Sequence, residues 1–416
     1  MAPEQLLYRW RGKVDLLLRH LLKISLFFSF ILSTGCGPAH SEVLSADQTG
    51  LKDVVAAIAI NPEYDKVHDR RTGYVALLRN NGSYSLVHTK GMGLQKLLWT
   101  KKGLFFSDYE NDYFFNSNGS TGIVTPNRKT YIQNQIIEQK NGKPLATFDE
   151  GFDNVSGKPK NILQVFDHTD GTQPYQIIHF PFHAVASCDT GVYGLDLENL
   201  MLNSHERLTL QRISRKISNE KGLSIANPDD RFTPVSDDTM PCFNNVVYGI
   251  GITSQKEDSY AASWEILKWN TLTGENSFIP IKEPSGKTLI VETSEPFSYE
   301  AASLDNGILT FMFNGTGTIY QIELSTGKII RTVKPDNGKH THKELLFHEM
   351  HLTERHIFTL FTPDSKHSWQ TSLRILDRKT LRQVKEIPLQ RSLVELLNGK
   401  SQRLFQTSFA VNPNYS

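Results

Sequence analysis

From about residue 51 onward, apolar and polar positions alternate in short runs with a period near two, and almost no stretch sustains a helical period. The runs are rich in β-branched and aromatic residues: 73–78 (GYVALL), 83–88 (SYSLVH), 103–107 (GLFFS), 246–252 (VVYGIGI), 308–313 (ILTFMF) and 357–361 (IFTLF). Each predicts a β-strand. The one helix-like stretch, 392–397, is short.

The strands recur in a fixed order. In 299–333 an inner strand is followed by Asp305-Asn306-Gly307 and the strand ILTFMF. Asn314-Gly315 and TIYQIEL come next, then Ser325-Thr326-Gly327-Lys328 and IIRTV. Each turn holds the Asn, Gly, Ser or Thr that a tight backbone reversal needs. The same order returns in 238–281, where Leu272-Thr273-Gly274-Glu275 takes the last turn, and in 348–387, where Asp377-Arg378-Lys379-Thr380 does. Gly274, Gly327 and Thr380 stand 53 residues apart. Counting back, Asp170-Gly171 and Thr121-Gly122 fall near the same period, a unit over 183–212 lies between, and 54–89 comes first. Seven units of about 54 residues imply an all-β, seven-bladed β-propeller. Four-stranded sheets stacked radially bury both faces of each sheet and leave no long free edge. The strand-like tail 404–411 (LFQTSFAV) is placed to pair into the first blade and close the ring. Two β-sandwich domains would also show short strands at regular spacing; the shared turn order and even period favour the propeller.

The turns Leu324-Ser325-Thr326-Gly327-Lys328 and Asn270-Thr271-Leu272-Thr273-Gly274 make the body resemble the YVTN and quinoprotein-like propellers of bacterial secreted proteins. The resemblance spans 54–411. It departs from the quinoprotein enzymes, whose repeated alanine and docking tryptophan are missing; Ile330-Arg331 stands where that tryptophan would sit. No quinone cofactor is therefore implied, and none of another kind is expected.

The first 35 residues follow different rules. Arg9, Arg11, Lys13, Arg19 and Lys23 face only Glu4 and Asp15, and residues 24–32 (ISLFFSFIL) form an apolar run. That run is too short for a ~30 Å hydrocarbon core, which needs about 20 helical residues. Extending it backward would bury Arg19 and Lys23 at roughly 2.5–3.5 kcal/mol each. The order of parts is that of a signal peptide. Leu32-Ser33-Thr34-Gly35-Cys36 resembles a lipobox, which implies cleavage before Cys36 and diacylglyceryl modification of its thiol; Ser33 departs from the usual aliphatic residue. An ordinary cleaved secretory peptide is the alternative. The expected organisation is a signal peptide over 1–35, a lipidated cysteine and flexible tether over 36–50, and a propeller over 51–416. The protein is then expected outside the cytoplasm, held to the membrane by lipid.

Forty-five Lys and Arg against 44 Asp and Glu leave a net charge of +1, too weak a field to hold nucleic acid. The hydrophobic content of 38% with 21% charged residues describes a folded chain. Besides Cys36 the chain has two cysteines, Cys188 and Cys242. In an oxidising compartment they suggest a disulfide, and two buried thiols remain the alternative.

Candidate chemistry is sparse. His340, His342, His348, His351 and His356 cluster within 17 residues, yet His348-Glu349-Met350-His351 lacks the H-E-x-x-H order and supplies no ready trio of ligands, so no metal site is expected. There is no G-x-S-x-G elbow, P-loop or dinucleotide fingerprint. Aligning the units on their second strands sets Ala184, Thr239, Glu300 and Glu349 at equivalent inner-strand positions, with His183 and His348 one place earlier. In a propeller these positions line the axis, so His183, Glu300, His348 and Glu349 form the candidate axial ligand site. A paired Glu300 and Glu349 would suit an envelope-polymer (glycan) hydrolase or lyase. No catalytic residue is assigned, and the favoured expectation is a binding or scaffold protein with a protein or glycan partner at the cell envelope.

Overall fold

The chain divides into two units, Met1–Ser41 and Glu42–Ser416. A computed structural model describes residues 42–44, 50–62, 72–117, 121–125, 130, 132–152, 159–166, 175–178, 182–196, 209–213, 232–234, 239–254, 261–292, 302–313, 317–334, 345–363, 371–397 and 404–415, all in the second unit. The expected targeting segment and Cys36 lie outside the described residues.

The second unit is a seven-bladed β-propeller with one helix among its described residues. Blade 1 draws on both ends of the domain. Strands β2 (Val54–Pro62), β3 (Thr72–Arg79) and β4 (Tyr84–Lys90) pair in succession, and the tail β30 (Leu404–Val411) adds antiparallel to β2 as the innermost strand. The ring closes as the tail's pattern foretold. Blade 2 holds β5 (Leu97–Thr100), β6 (Gly103–Ser107), β7 (Asp112–Asn116) and β8 (Thr121–Val124). Blade 3 holds β9 (Ile132–Glu138), β10 (Pro144–Phe152), β11 (Pro159–Val165) and β12 (Tyr175–Ile178). Blade 4 shows β13 (Phe182–Cys188), β14 (Gly191–Asp196) and β15 (Thr209–Arg212). In blade 5, β16 (Phe232–Pro234) and β17 (Cys242–Phe243) share the inner edge of β18 (Val246–Ser254). Strands β19 (Ala261–Asn270), β20 (Asn276–Pro280) and β21 (Ile290–Glu292) complete that sheet. Blade 6 runs β22 (Ser303–Asp305), β23 (Ile308–Phe313), β24 (Thr318–Glu323) and β25 (Lys328–Val333). Blade 7 runs β26 (Leu345–Leu352), β27 (His356–Pro363), β28 (Ser372–Asp377) and β29 (Gln383–Pro388), and α1 (Arg391–Leu397) leads to β30.

The alternation in sequence acquires its meaning at the seams. Successive side chains on a strand point to opposite faces, and here both faces are buried against neighbouring blades. Ile58 and Ile60 of β2 join Phe358, Leu360 and Leu373 of blade 7, whereas Ala57 and Ala59 join Leu104, Phe106 and Phe115 of blade 2. A buried hydrophobic cluster fills each of the seven seams in this way. The turns are built as the composition required. Asn244 and Asn245, and likewise Asn306 and Gly307, take positive φ at both central positions of two-residue hairpins. Gly327 (φ 70°) also sits tightly against blade 5, because a Cβ there would run into the Pro280 carbonyl.

Two boundaries differ from the expectation. Thr121-Gly122 opens β8 instead of forming the turn itself. The propeller also begins before residue 51: β1 (Glu42–Leu44), expected within the tether, pairs in parallel with β4 on the outer edge of blade 1. Three residues in a small, polar stretch carry no periodic signal, so only the partner edge makes them a strand. All inner strands run in one sense around the axis. The face where they begin is the upper face, and the face where they end is the lower.

Candidate functional site

The structure places part of the expected axial site. His183 lies second in β13, and His348 lies in β26, both on inner strands; their side chains, and the whole of Glu300, are outside the described residues. Glu349 lies in β26 opposite Leu360, and its side chain is only 1% exposed. It therefore sits within the packed inner wall and not free in a hydrated channel. Ser187 pairs with Val192 and Cys242 with Val247, each three places after Ala184 and Thr239, and between the blades Thr239 bridges Val185 in parallel while Met240 N–H donates to Val185 O at 2.8 Å. The parallel bridge Leu94↔Ile132 repeats this contact between blades 2 and 3, as expected of inner strands lying side by side around an axis.

The densest described polar structure is elsewhere, where blades 1, 2 and 3 meet. The Asp108 carboxylate is fully buried. It accepts the amides of Lys90 (2.8 Å), Glu110 (2.8 Å) and Asn111 (2.7 Å) and the Tyr113 hydroxyl (2.7 Å). It thereby ties the segment leaving blade 1 to the β6–β7 turn of blade 2. Asp112, also buried, accepts from Ser107 Oγ at 2.5 Å and from Gln164 Nε2 of blade 3 at 2.7 Å. Gln95 Nε2 donates to Ser107 O (2.6 Å), Asn61 Nδ2 donates to Gln95 Oε1 (2.8 Å), and Asn61 Oδ1 accepts the Met92 amide (3.1 Å). Gln133 of β9 accepts the Lys96 amide at 3.2 Å. Burying carboxylates and amides is costly unless their hydrogen-bonding groups are met. Here they are met mainly by backbone and amide donors that fix the loops of the upper face. Burial, and secondarily the Asp108 charge, push the Tyr113 hydroxyl far above the ordinary tyrosine range. Sequence reasoning passed over these residues. Their signal was present as amides and acids in otherwise apolar segments, and in Asp108-Tyr109-Glu110-Asn111-Asp112 at a strand-to-strand turn.

A second fixed point lies on the lower side between blades 4 and 5. Cys188, at the end of β13, is disulfide-bonded to Cys242 of β17, with Cα atoms 5.4 Å apart. Beside it Thr190 N–H donates to Asn245 Oδ1 (3.2 Å), Thr271 N–H donates to Asn245 O (2.8 Å), and Tyr193 OH donates to Thr190 Oγ1 (3.0 Å). The bridge left open by the sequence is thus present.

The histidine cluster divides. His340 and His342 are outside the described residues. His351 stands edge-on to Phe409 with centroids 4.6 Å apart, and His356 stands edge-on to Phe358 and Tyr415. Among the described residues, no group of three or more His, Cys, Asp or Glu is arranged to hold a metal ion.

Comparison with known proteins adds a family. The family model described as YycP, beta-propeller domain, matches residues 49–411. No curated protein matches the chain. Among solved structures, a hypothetical selenium-binding protein from Sulfolobus tokodaii is similar over 88% of this chain and 96% of its own, at 10% identity and a TM-score of 0.47. Catalytically inactive virginiamycin B lyase from Staphylococcus aureus, solved with quinupristin, is similar over 74% and 93%, at 13% identity and 0.44. Apo AztD from Citrobacter koseri is similar over 81% and 96%, at 12% identity and 0.39. Likenesses this distant say nothing about chemistry, which rests on the chain's own residues.

Proposed function

The chain belongs to the YycP β-propeller family, and on that premise we propose that it is a lipid-anchored, extracytoplasmic binding protein whose upper face takes a protein or glycan partner at the cell envelope. The observation that carries the binding role is the Asp108–Asp112 network. Buried carboxylates spend their acceptors on fixing loops, so the surface above them is pre-organised and loses little entropy on contact. The Cys188–Cys242 bridge supports an oxidising compartment, and the lipobox-like segment before Cys36 supports the anchor. The axial part of the upper face, around the inner strands β13 and β26 that carry His183 and His348, is the centre of the contact surface in this reading.

A photoreactive residue at Glu110, in the β6–β7 turn of the upper face, should form a discrete adduct in envelopes of the native host. The same residue at Thr273, in the β19–β20 turn of the lower face, should not. Equal adducts from both positions, or an adduct from Thr273 alone, would remove the upper face from consideration. Replacing Cys36 with Ser should release the protein from the membrane fraction; an unchanged distribution would remove the anchor.

A further inference from the structure

The outer strand of blade 1 differs from those of blades 2, 5, 6 and 7. Strands β8, β20, β25 and β29 are mostly exposed or half-exposed, as the last strand of a blade facing solvent should be. In β4 the side chains of Tyr84, Ser85, Leu86 and Val87 are all buried. Tyr84 and Leu86 enter the cluster shared with blade 7 and α1, Val87 enters that shared with blade 2, and β1 adds a further strand at the β4 edge in parallel register, Glu42↔Ser85, Val43↔Leu86 and Leu44↔Val87. The first described residues of the domain therefore lie at the rim of blade 1. Register also gives direction. Strand β4 begins on the lower side, next to the turn after β3, and ends on the upper side; β1 runs with it. Glu42 is thus the lower end of β1.

Glu42 is six residues after Cys36 in the sequence. Six extended residues span at most about 20 Å, whereas the fourteen residues of a free tether over 37–50 would span about 48 Å. We infer that the lipid surface meets this propeller at the lower corner of the blade 1 rim. The disc is held by its edge, and the upper face is turned away from the bilayer toward soluble or wall-bound partners. The inference rests on the lipid anchor proposed above. It adds which side of the domain faces the headgroups and why a short approach fixes it.

The test uses the full-length lipidated protein in phosphatidylethanolamine–phosphatidylglycerol vesicles carrying a headgroup-linked energy-transfer acceptor. Donors are attached one at a time through Asn81→Cys in the β3–β4 turn at the lower corner of the blade 1 rim, Ser277→Cys on the outer strand of blade 5, and Glu110→Cys on the upper face. The native Cys188–Cys242 pair is bonded and does not compete for label. Transfer should be several-fold stronger from position 81 than from 277, with 110 also weaker than 81. A long Gly/Ser insertion between Ser41 and Glu42 should abolish the difference. Equal transfer from all three positions, or strongest transfer from 110 or 277, overturns the orientation while leaving the anchor intact. If the wild type stays in the aqueous phase like its Cys36→Ser variant, the anchor itself fails, and the orientation with it.

Discussion

The seams between blades 7 and 1 and between blades 4 and 5 hold the same ring together by different means. Where the ring closes, β30 brings a full strand of hydrogen bonds to β2, and Phe409 and Val411 enter a cluster with Ile58, Ile60, Phe358, Leu360 and the α1 residues Leu393, Val394 and Leu397. Tyr84 OH donates to Ser392 Oγ at 2.8 Å, and Asn412 N–H donates to Val55 O at 2.9 Å, so the tail is pinned at both levels. At the 4–5 seam the inner strand of blade 5 is split into β16 and β17, and Ala184 and Ala186 bring small side chains to the contact. There a disulfide ties β13 to β17. A continuous inner strand with large apolar neighbours closes a ring without a covalent bond, whereas an interrupted inner strand is held by one.

Deleting 404–416 is the strongest way to break the comparison. It removes the innermost strand of blade 1, uncovers β2 and opens the ring, and an open propeller exposes long strand edges. The expected outcome is loss of cooperative unfolding and of near-UV circular dichroism. A truncated chain with an unchanged denaturation midpoint would mean that β30 does not close the ring.

Next come the two seams themselves. Replacing Cys188 and Cys242 together with Ser opens a loop of 54 residues and should cost about 4 kcal/mol. Phe409→Ala at the other seam should cost a similar 3–5 kcal/mol, roughly. Reductant separates them. It should lower the midpoint of the wild type and of the Phe409 variant but leave the double Ser variant where it was. A wild type indifferent to reductant would contradict the staple.

Gly327→Ala probes a seam with neither device. The new Cβ meets the Pro280 carbonyl at a φ of 70°. Left-handed strain of about 1–2 kcal/mol and overpacking of about 1–3 kcal/mol both apply. The measurement is urea denaturation, with Gly274→Ala as reference; Gly274 (φ 78°) has open space around its missing Cβ and should show the strain alone. Equal losses at the two glycines would remove the interblade contact as a cause.

Much of this was legible in the chain, because a propeller repeats its turn chemistry. Asn306-Gly307, Ser325-Thr326-Gly327 and Asp377–Thr380 announce reversals by residues whose reason is local. In the last of these the Thr380 hydroxyl and amide bond to Asp377 and hold its carboxyl below the usual carboxylate range. What could not be read is what depends on a distant partner. Glu42–Leu44 is a strand only because β4 offers an edge, and β16 and β17 are strands through their separate pairings with β18. Glu349 lies on the inner strand β26, and its burial depends on the blades beside it. Asp108 and Asp112 read as ordinary turn acids until the amides of Lys90 and Gln164 arrive from neighbouring blades.

The smallest effect tests whether polar pinning adds to a seam as packing does. At the junction of blades 1 and 2, Tyr113 donates its hydroxyl to Asp108 within a buried site. Burial and the Asp108 charge raise its pKa well above the ordinary value of about 10. Below that pH the hydroxyl is protonated in both the folded and unfolded chain, and its full contribution is present. Above it the unfolded chain sheds the proton while the folded one retains it, so the unfolded state binds fewer protons and stability falls as pH rises. Tyr113→Phe keeps the ring stacked on Phe106 and leaves Asp108 its three backbone donors. At pH 8 the variant should be about 1 kcal/mol less stable, the size of one hydrogen bond. Above about pH 10 the wild type should lose stability more steeply, by up to roughly 1.4 kcal/mol per pH unit, and the gap should close. Tyr248 and Tyr415, also raised by burial, contribute equally to both proteins and cancel in the difference. Parallel curves from pH 8 to 12 would mean that the hydroxyl reaches solvent. The blade 1–2 seam would then be packed like its neighbours, with no polar pin beneath the upper face.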